Sequence, residues 1–217
     1  MKKLNLLLAL LSLSVTLPAS AHYLWLEQAD GQTKLFFGEY ENNLHEKTGG
    51  RLDTIATPEA KLLDAGATKL SLKRNADFIA VEGVKNQPVI ANELGMKVKD
   101  ITKYNFGLAK PMYYARISYG LAEEASTNAL DIQLLGNNNV LINLNGKPLI
   151  KGKLKLTAPN QWQQELDADD KGQVTFSTPW AGLYVLEVIS LEPSKGSFQG
   201  DVYENIRHVS TLSIVKK

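Results

Sequence analysis

The chain runs to 217 residues, with 24 Lys and Arg against 23 Asp and Glu, three His and no Cys. The missing cysteines exclude a disulfide framework, a thiolate zinc or iron–sulfur centre and a cysteine nucleophile. A formal charge of +1 offers no basic surplus of the kind that holds nucleic acid, while 44% apolar and 22% charged residues describe an ordinary globular chain.

Residues 1–21 read as a leader rather than as structure. Lys2 and Lys3 precede an apolar run from Leu4 to about Val15, and Pro18 stands before Ala19-Ser20-Ala21, an A-x-A processing site. The run is too short for a membrane-spanning helix, which needs about 20 residues, and no Cys stands at the junction to carry a lipid. Nothing later is long and apolar enough to span a membrane. The expectation is an exported, periplasmic protein whose mature first residue is His22.

From His22 onward the apolar period is mostly two, which predicts strands. In the first half these are 22–28, 33–38, 68–74, 77–83 and 110–119, with Asp30-Gly31 marking a hairpin turn. Residues 41–66 carry Gly49-Gly50 and Pro58 and read as a long loop with a short helix, and 88–106 fit no single pattern. The polar stretch 121–128 reads as a linker. Strands then follow at 129–134, 139–144, 152–158, 162–167, 172–177, 182–191 and 203–216, with turns at Asn145-Gly146 and Asp170-Lys171-Gly172. The expected fold is all-β: two immunoglobulin- or prealbumin-like antiparallel sandwich domains, 22–124 and 125–217, behind the cleaved leader 1–21.

The histidines carry most of the chemistry. An N-terminal His22 would offer both its α-amine and its ring Nδ1 to one metal ion, closing a six-membered chelate; a third nitrogen would complete a histidine brace. Amine and imidazole donors suit copper, nickel, cobalt or zinc. The candidates for the third nitrogen are His208 and His45. In a strand, His208 shares a face with Ile206, Ser210 and Leu212. His45 lies in a polar stretch beside Glu39, Glu41 and Glu46; Glu39 and Glu41 could add carboxylate oxygens, although lone acids in such a stretch are ordinarily solvated. Met96 and Met112 are isolated, which argues against a soft Cu(I) site.

The mature start HYLWLEQADG, the following KLFFGEYENNLHEKTGGRLDTI and the terminal YENIRHVSTLSI resemble an exported family of unknown-function domains described as periplasmic components of cobalt/nickel transport. The opening of that family, Ala-His, two variable residues, then Trp-Leu, is matched by Ala21, His22, Trp25 and Leu26. The resemblance implies a periplasmic β-sandwich protein that binds a transition metal and hands it to a membrane transporter. The second half, with NGKPL, KLKLTAP and AGLYVLEV, resembles carboxypeptidase-regulatory-like β-sandwich modules, a likeness of fold alone.

The leading function is therefore non-enzymatic metal binding for uptake or delivery, with nickel, cobalt or copper at His22 and either His208 or His45. Two alternatives stand beside it: a copper-dependent oxidase or monooxygenase acting on polysaccharide, and a metal-free structural or carbohydrate-binding sandwich. No nucleophile elbow, H-E-x-x-H, phosphate loop or dinucleotide fingerprint is present.

Overall fold

The computed structural model describes residues 22–64, 66–104, 106–120 and 128–217. The predicted leader and all of the predicted linker except Asn128 lie outside them. The strands of the first half are β1 (Tyr23–Ala29), β2 (Gln32–Glu39), β3 (Leu44–His45), β4 (Glu59–Leu62), β5 (Lys69–Leu70), β6 (Leu72–Arg74), β7 (Ile79–Val81), β8 (Val89–Glu93), β9 (Lys99–Asp100) and β10 (Leu108–Ser118). The second half adds β11 (Leu130–Gly136), β12 (Asn139–Leu144), β13 (Lys147–Pro148), β14 (Lys153–Thr157), β15 (Gln163–Asp167), β16 (Gln173–Thr175), β17 (Gly182–Phe198) and β18 (Asp201–Lys216). Among the described residues the only helical segments are 3-10 turns at Tyr40–Asn42, Arg51–Thr54 and Thr102–Tyr104. The protein is all-β, as its period-two patterning predicts.

Three sheets form. A nine-stranded sheet runs β15-β14-β17-β18-β10-β8-β4-β5, with β9 attached to β10. A five-stranded sheet runs β1-β2-β7-β6, with β3 on β2, and a four-stranded one runs β11-β12-β13, with β16 on β12. The pairings are antiparallel except β10 with β18, which run parallel and carry strands of both halves in one sheet. Side-chain alternation then assigns each half its own core. Tyr113, Ala115 and Ile117 of β10, with Val185 and Val209, pack with the first sheet's Leu24, Trp25, Leu35 and Phe37. Tyr114, Leu186, Val188 and Leu212 point the other way and pack with Leu130, Ile132, Val140 and Ile142. The large sheet thus presents one face to the five-stranded sheet and the other to the four-stranded sheet.

Local chemistry explains where the strands begin and end. Asp30 (φ 53°) and Gly31 (φ 74°) both adopt positive φ, the type I′ geometry that matches the twist of the β1–β2 hairpin. The expected strand 68–74 is divided at Ser71: β5 pairs with β4 in the large sheet, while β6 pairs with β7 in the other. The chain changes layers there, which alternation alone does not signal. The segment 41–66, expected as loop with a short helix, supplies two 3-10 turns and the short strands β3 and β4. The β17–β18 hairpin runs well past the predicted 182–191 and 203–216, because a register shift between Pro193 and Gly196 absorbs the proline and lets pairing resume to Phe198.

Two buried polar contacts tie the layers together. Arg116 of β10 and Asp131 of β11 form an ion pair at 3.3 Å, with both side chains at most 5% exposed. On the opposite face, Glu41 accepts from the Tyr23 hydroxyl and from the Lys155 ammonium, which also lies 3.7 Å from Glu187. Burial pushes the Glu187 carboxyl up to about 7; the Lys155 charge pulls it down, Glu41 pushes it up and Arg207 pulls it down again. Among the described residues its Oε1 has no hydrogen-bond partner.

Asp131→Ala would remove its charge-assisted contact with Arg116 between the layers, and a loss of about 1–3 kcal/mol is expected, read from the denaturant midpoint at constant m-value. For Glu187 the folded state holds the proton more tightly than the unfolded chain does. Stability therefore falls as pH rises from about 4.5 to about 7, by up to about 3 kcal/mol. Glu187→Gln is expected to remove that slope in unfolding curves taken between pH 5 and pH 8; an unchanged slope would contradict the assignment.

Candidate functional site

His22 precedes β1, and its position follows from register. Tyr23 pairs with Gly38, and Gly38 in turn with His45. Cross-strand partners share a face and chain neighbours alternate, so Tyr23, Gly38 and His45 lie on one face while His22, Glu39 and Glu46 lie on the other. The contacts agree. The His22 ring is half-buried, with Nδ1 3.1 Å from Glu39 Oε1 and Nε2 hydrogen-bonded to Glu46 Oε1. It tilts against Phe37 at 5.4 Å between centroids. Arg51, from the 3-10 turn Arg51–Thr54, brings its guanidinium to 3.3 Å from Nε2 and 4.0 Å from Glu46.

One glycine makes this possible. Gly38 has φ 148°, and a Cβ there would stand 2.0 Å from the Leu44 carbonyl oxygen. Only a residue without a side chain lets β3 close onto β2 at this point. The Glu46 amide then donates to the Phe37 carbonyl at 2.9 Å, which sets the Glu46 carboxylate beside His22.

The other two histidines face away from His22. His45 packs its ring against Phe36 at 4.3 Å and Trp25 at 5.4 Å, on the far side of the first sheet. His208 is 1% exposed. Its Nε2 is hydrogen-bonded to Glu192 at 2.9 Å and its Nδ1 to the Tyr114 hydroxyl at 3.1 Å, so both ring nitrogens are engaged. The hydrogen bond from His208 holds the Glu192 carboxyl below its usual value. His208 shares its face with Met112 and Tyr114, whereas its neighbour Arg207 shares the opposite face with Tyr113. The structure therefore brings His22 together with Glu39 and Glu46, not with His45 or His208. Of the acids named from sequence, Glu39 reaches His22, while Glu41 is spent on Tyr23 and Lys155.

In front of His22 opens a cleft of about 810 Å³. Phe37, Arg51, Tyr113 and Arg207 line it together with Lys99 of β9 and with Tyr104 and Phe106 from the segment between β9 and β10. Among the described residues four cations line it, Arg51, Lys99, Lys103 and Arg207, against one acid, Asp100. That acid is occupied: its carboxylate accepts from the Thr102 amide at 2.9 Å, and the bonds from Thr102 hold its pKa below the usual carboxylate range. Lys99 keeps contact with solvent. The protein atoms crowding its ammonium, and after them the charges of Arg207 and Arg51, hold its pKa below that of an ordinary lysine. Tyr104 and Phe106 remain 46% and 44% exposed at the rim.

Among the described residues no group of three or more His, Asp or Glu side chains is arranged to hold a metal ion. A metal at His22 would thus need a donor that is not a side chain. Sequence reasoning missed the cleft cations, because Arg51, Lys99 and Arg207 are scattered along the chain in unremarkable contexts. Glu46 was visible only as one acid in a run of several. Comparison with family models, with curated proteins and with solved structures finds no match.

Gly38→Ala is expected to push β3 off β2 and cost more than about 1 kcal/mol, the penalty of a side chain forced into positive φ with a backbone clash. Hydrogen exchange at the Glu46 amide should accelerate with it. Unchanged protection at Glu46 would show that Gly38 does not set the His22–Glu46 contact.

Proposed function

We propose that the mature protein, beginning at His22 after loss of residues 1–21, is an exported, periplasmic transition-metal-binding protein that receives nickel, cobalt or copper and passes it to a membrane transporter. One observation carries this reading: the His22 ring is held with Nε2 on Glu46 and Nδ1 3.1 Å from Glu39 Oε1. Histidines that ligate metals ordinarily donate their other ring N–H to a carboxylate, which fixes tautomer and orientation. Glu46 is suited to that role. Two donors on one metal ion with bonds of about 2.0–2.1 Å stand about 3 Å apart, which the Nδ1–Glu39 spacing fits.

The donors would be the α-amine and Nδ1 of His22 with a Glu39 oxygen, a set of nitrogen and oxygen suited to nickel, cobalt, copper or zinc. The bound metal would act as cargo. The chain's own residues do the rest: Glu46 holds the ring at Nε2 so that Nδ1 faces Glu39, and the α-amine, with an ordinary pKa of about 7.7–8.0, can give up its proton to a metal near neutral pH. Compared with the earlier expectation of a third imidazole, Glu39 takes the place of His208 or His45. A copper oxidase working on polysaccharide wants a broad flat face around the metal, whereas the aromatics here rim a concave cleft, which suits a small guest.

Intact mass of the exported protein should show His22 as first residue, and calorimetry with Ni²⁺, Co²⁺ and Cu²⁺ should give one site. His22→Ala, or a glycine placed ahead of His22, is expected to lower affinity at least about 100-fold, and Glu39→Gln about 10–100-fold. His45→Ala and His208→Ala should stay within about threefold of the parent, since neither faces the site. Full affinity in the extended protein, or a His208→Ala loss equal to that of His22→Ala, would overturn the site.

A further inference from the structure

The cleft has the wrong charge for a bare metal ion. Arg51, Lys99, Lys103 and Arg207 line it, and the single acid among its lining residues, Asp100, is committed to Thr102. A divalent cation approaching His22 through this opening meets like charge at close range in a medium of reduced dielectric, where each such pair is worth more than in water. An anion meets the reverse. Clefts lined by one sign of charge raise the local concentration of the opposite one.

Size and surface narrow the guest further. A volume of about 810 Å³ lies in the range of sites for organic molecules and far exceeds what an inorganic ion needs. The walls are aromatic: Phe37 and Tyr113 stand inside, and Tyr104 and Phe106 stand exposed at the rim. Large apolar side chains left open beside a lining in which cations outnumber acids suit a flat or apolar body bearing several carboxylates. Arginines at two sides, Arg51 and Arg207, add the bidentate geometry that carboxylates accept.

We propose that the cleft is a binding site for a small aromatic or otherwise apolar polycarboxylate, and that the metal reaches His22 as the complex of such an anion. The anion site stands on the cleft residues alone; its role as metal carrier rests on the metal reading above. Lys99 and Arg207 hold the carboxylates, Arg51 stands beside His22, and Phe106 and Tyr104 cover the apolar body.

The test uses benzene-1,3,5-tricarboxylate, its aliphatic counterpart tricarballylate, and the uncharged benzene-1,3,5-tricarboxamide, titrated by calorimetry into the metal-free mature protein at low salt. The aromatic tricarboxylate is expected to bind more tightly than tricarballylate and the tricarboxamide not at all. Lys99→Gln and Arg207→Gln should each weaken both anions at least tenfold. Phe106→Ala should weaken the aromatic anion about tenfold while leaving tricarballylate within threefold, a difference that misfolding would not produce. Raising salt to 0.5 M should reduce affinity for both anions. No anion binding at millimolar concentration, or binding indifferent to Lys99→Gln and Arg207→Gln, would overturn the proposal, as would inorganic phosphate binding more tightly than the aromatic tricarboxylate. Glu39→Gln separates the two readings, because Glu39 is not among the residues that line the cleft: it should weaken Ni²⁺ binding at least about tenfold and leave the aromatic anion within threefold. Anion binding without any metal site would sink the metal reading alone, and Ni²⁺ binding without any anion site would sink this one alone.

Discussion

The parallel pairing of β10 with β18 sets the direction of nearly every functional side chain. Met112 stands beside His208 and Tyr113 beside Val209, and the same register continues from Ala109 to Ser118. Because neighbours in a strand point to opposite faces, this one register sends Tyr113 and Arg207 into the cleft and sends Tyr114 and His208 into the second core. A slip of one residue would exchange the two sets: His208 would enter the cleft and Arg207 would be buried against the four-stranded sheet. The register is strongly held because both faces are packed. Val209 and Tyr113 belong to one core, and Leu212 and Tyr114 to the other.

The polar contacts between layers hold the first sheet over this central strand pair. Thr211 of β18 donates to the Leu24 carbonyl at 2.6 Å, and the Tyr40 hydroxyl donates to the Leu183 carbonyl at 3.1 Å. Glu41 sits between Tyr23 and Lys155, so the chain directly after the Glu39 position is pinned to the second half. Burial and the Glu41 carboxylate, with a smaller push from the nearby Glu187 charge, hold the Tyr23 hydroxyl in its neutral, donating form. These contacts fix β1 and β2 relative to β10 and β18, and thereby fix His22 relative to Arg207. A site whose donors come from one sheet and whose cations come partly from another depends on that rigidity.

Much of the fold was legible because its strands obey simple alternation. In β11 the buried Leu130, Ile132 and Leu134 repeat at every second residue, and β12 repeats Val140 and Ile142 in the same way. What escaped the sequence was whatever depends on contact between distant segments. Ser71 looks like one more strand residue, yet the chain changes sheets there. Lys99 lies in a two-residue strand that exists only because β10 offers an edge. The histidine spacing left three candidates for one site, and only the cross-strand parity of Tyr23, Gly38 and His45 shows that the two histidines nearest in sequence stand on opposite faces. His208 looked no worse than His45 from its sequence. Its pairing with Glu192 depends on the β17–β18 register, which continues past Pro193 in a way that a proline would ordinarily argue against.

The same parity places the proposed metal donors beside a cleft lined mostly by cations. Glu39 is 7% exposed and is not among the residues that line the cleft. Arg51 stands 3.3 Å from Nε2 and 4.0 Å from the Glu46 carboxylate. Carboxylates thus flank both ring nitrogens, and the cleft cations begin on the Nε2 side, where Arg51 is shared with Glu46. Under the proposed reading an anion carrying a cation would suit both sets of charges, with its carboxylates held by Lys99 and Arg207 and with Nδ1 and Glu39 offered to the metal. The cleft cations would then do more than attract: by competing for the carboxylates of an incoming complex they would weaken its grip on the metal.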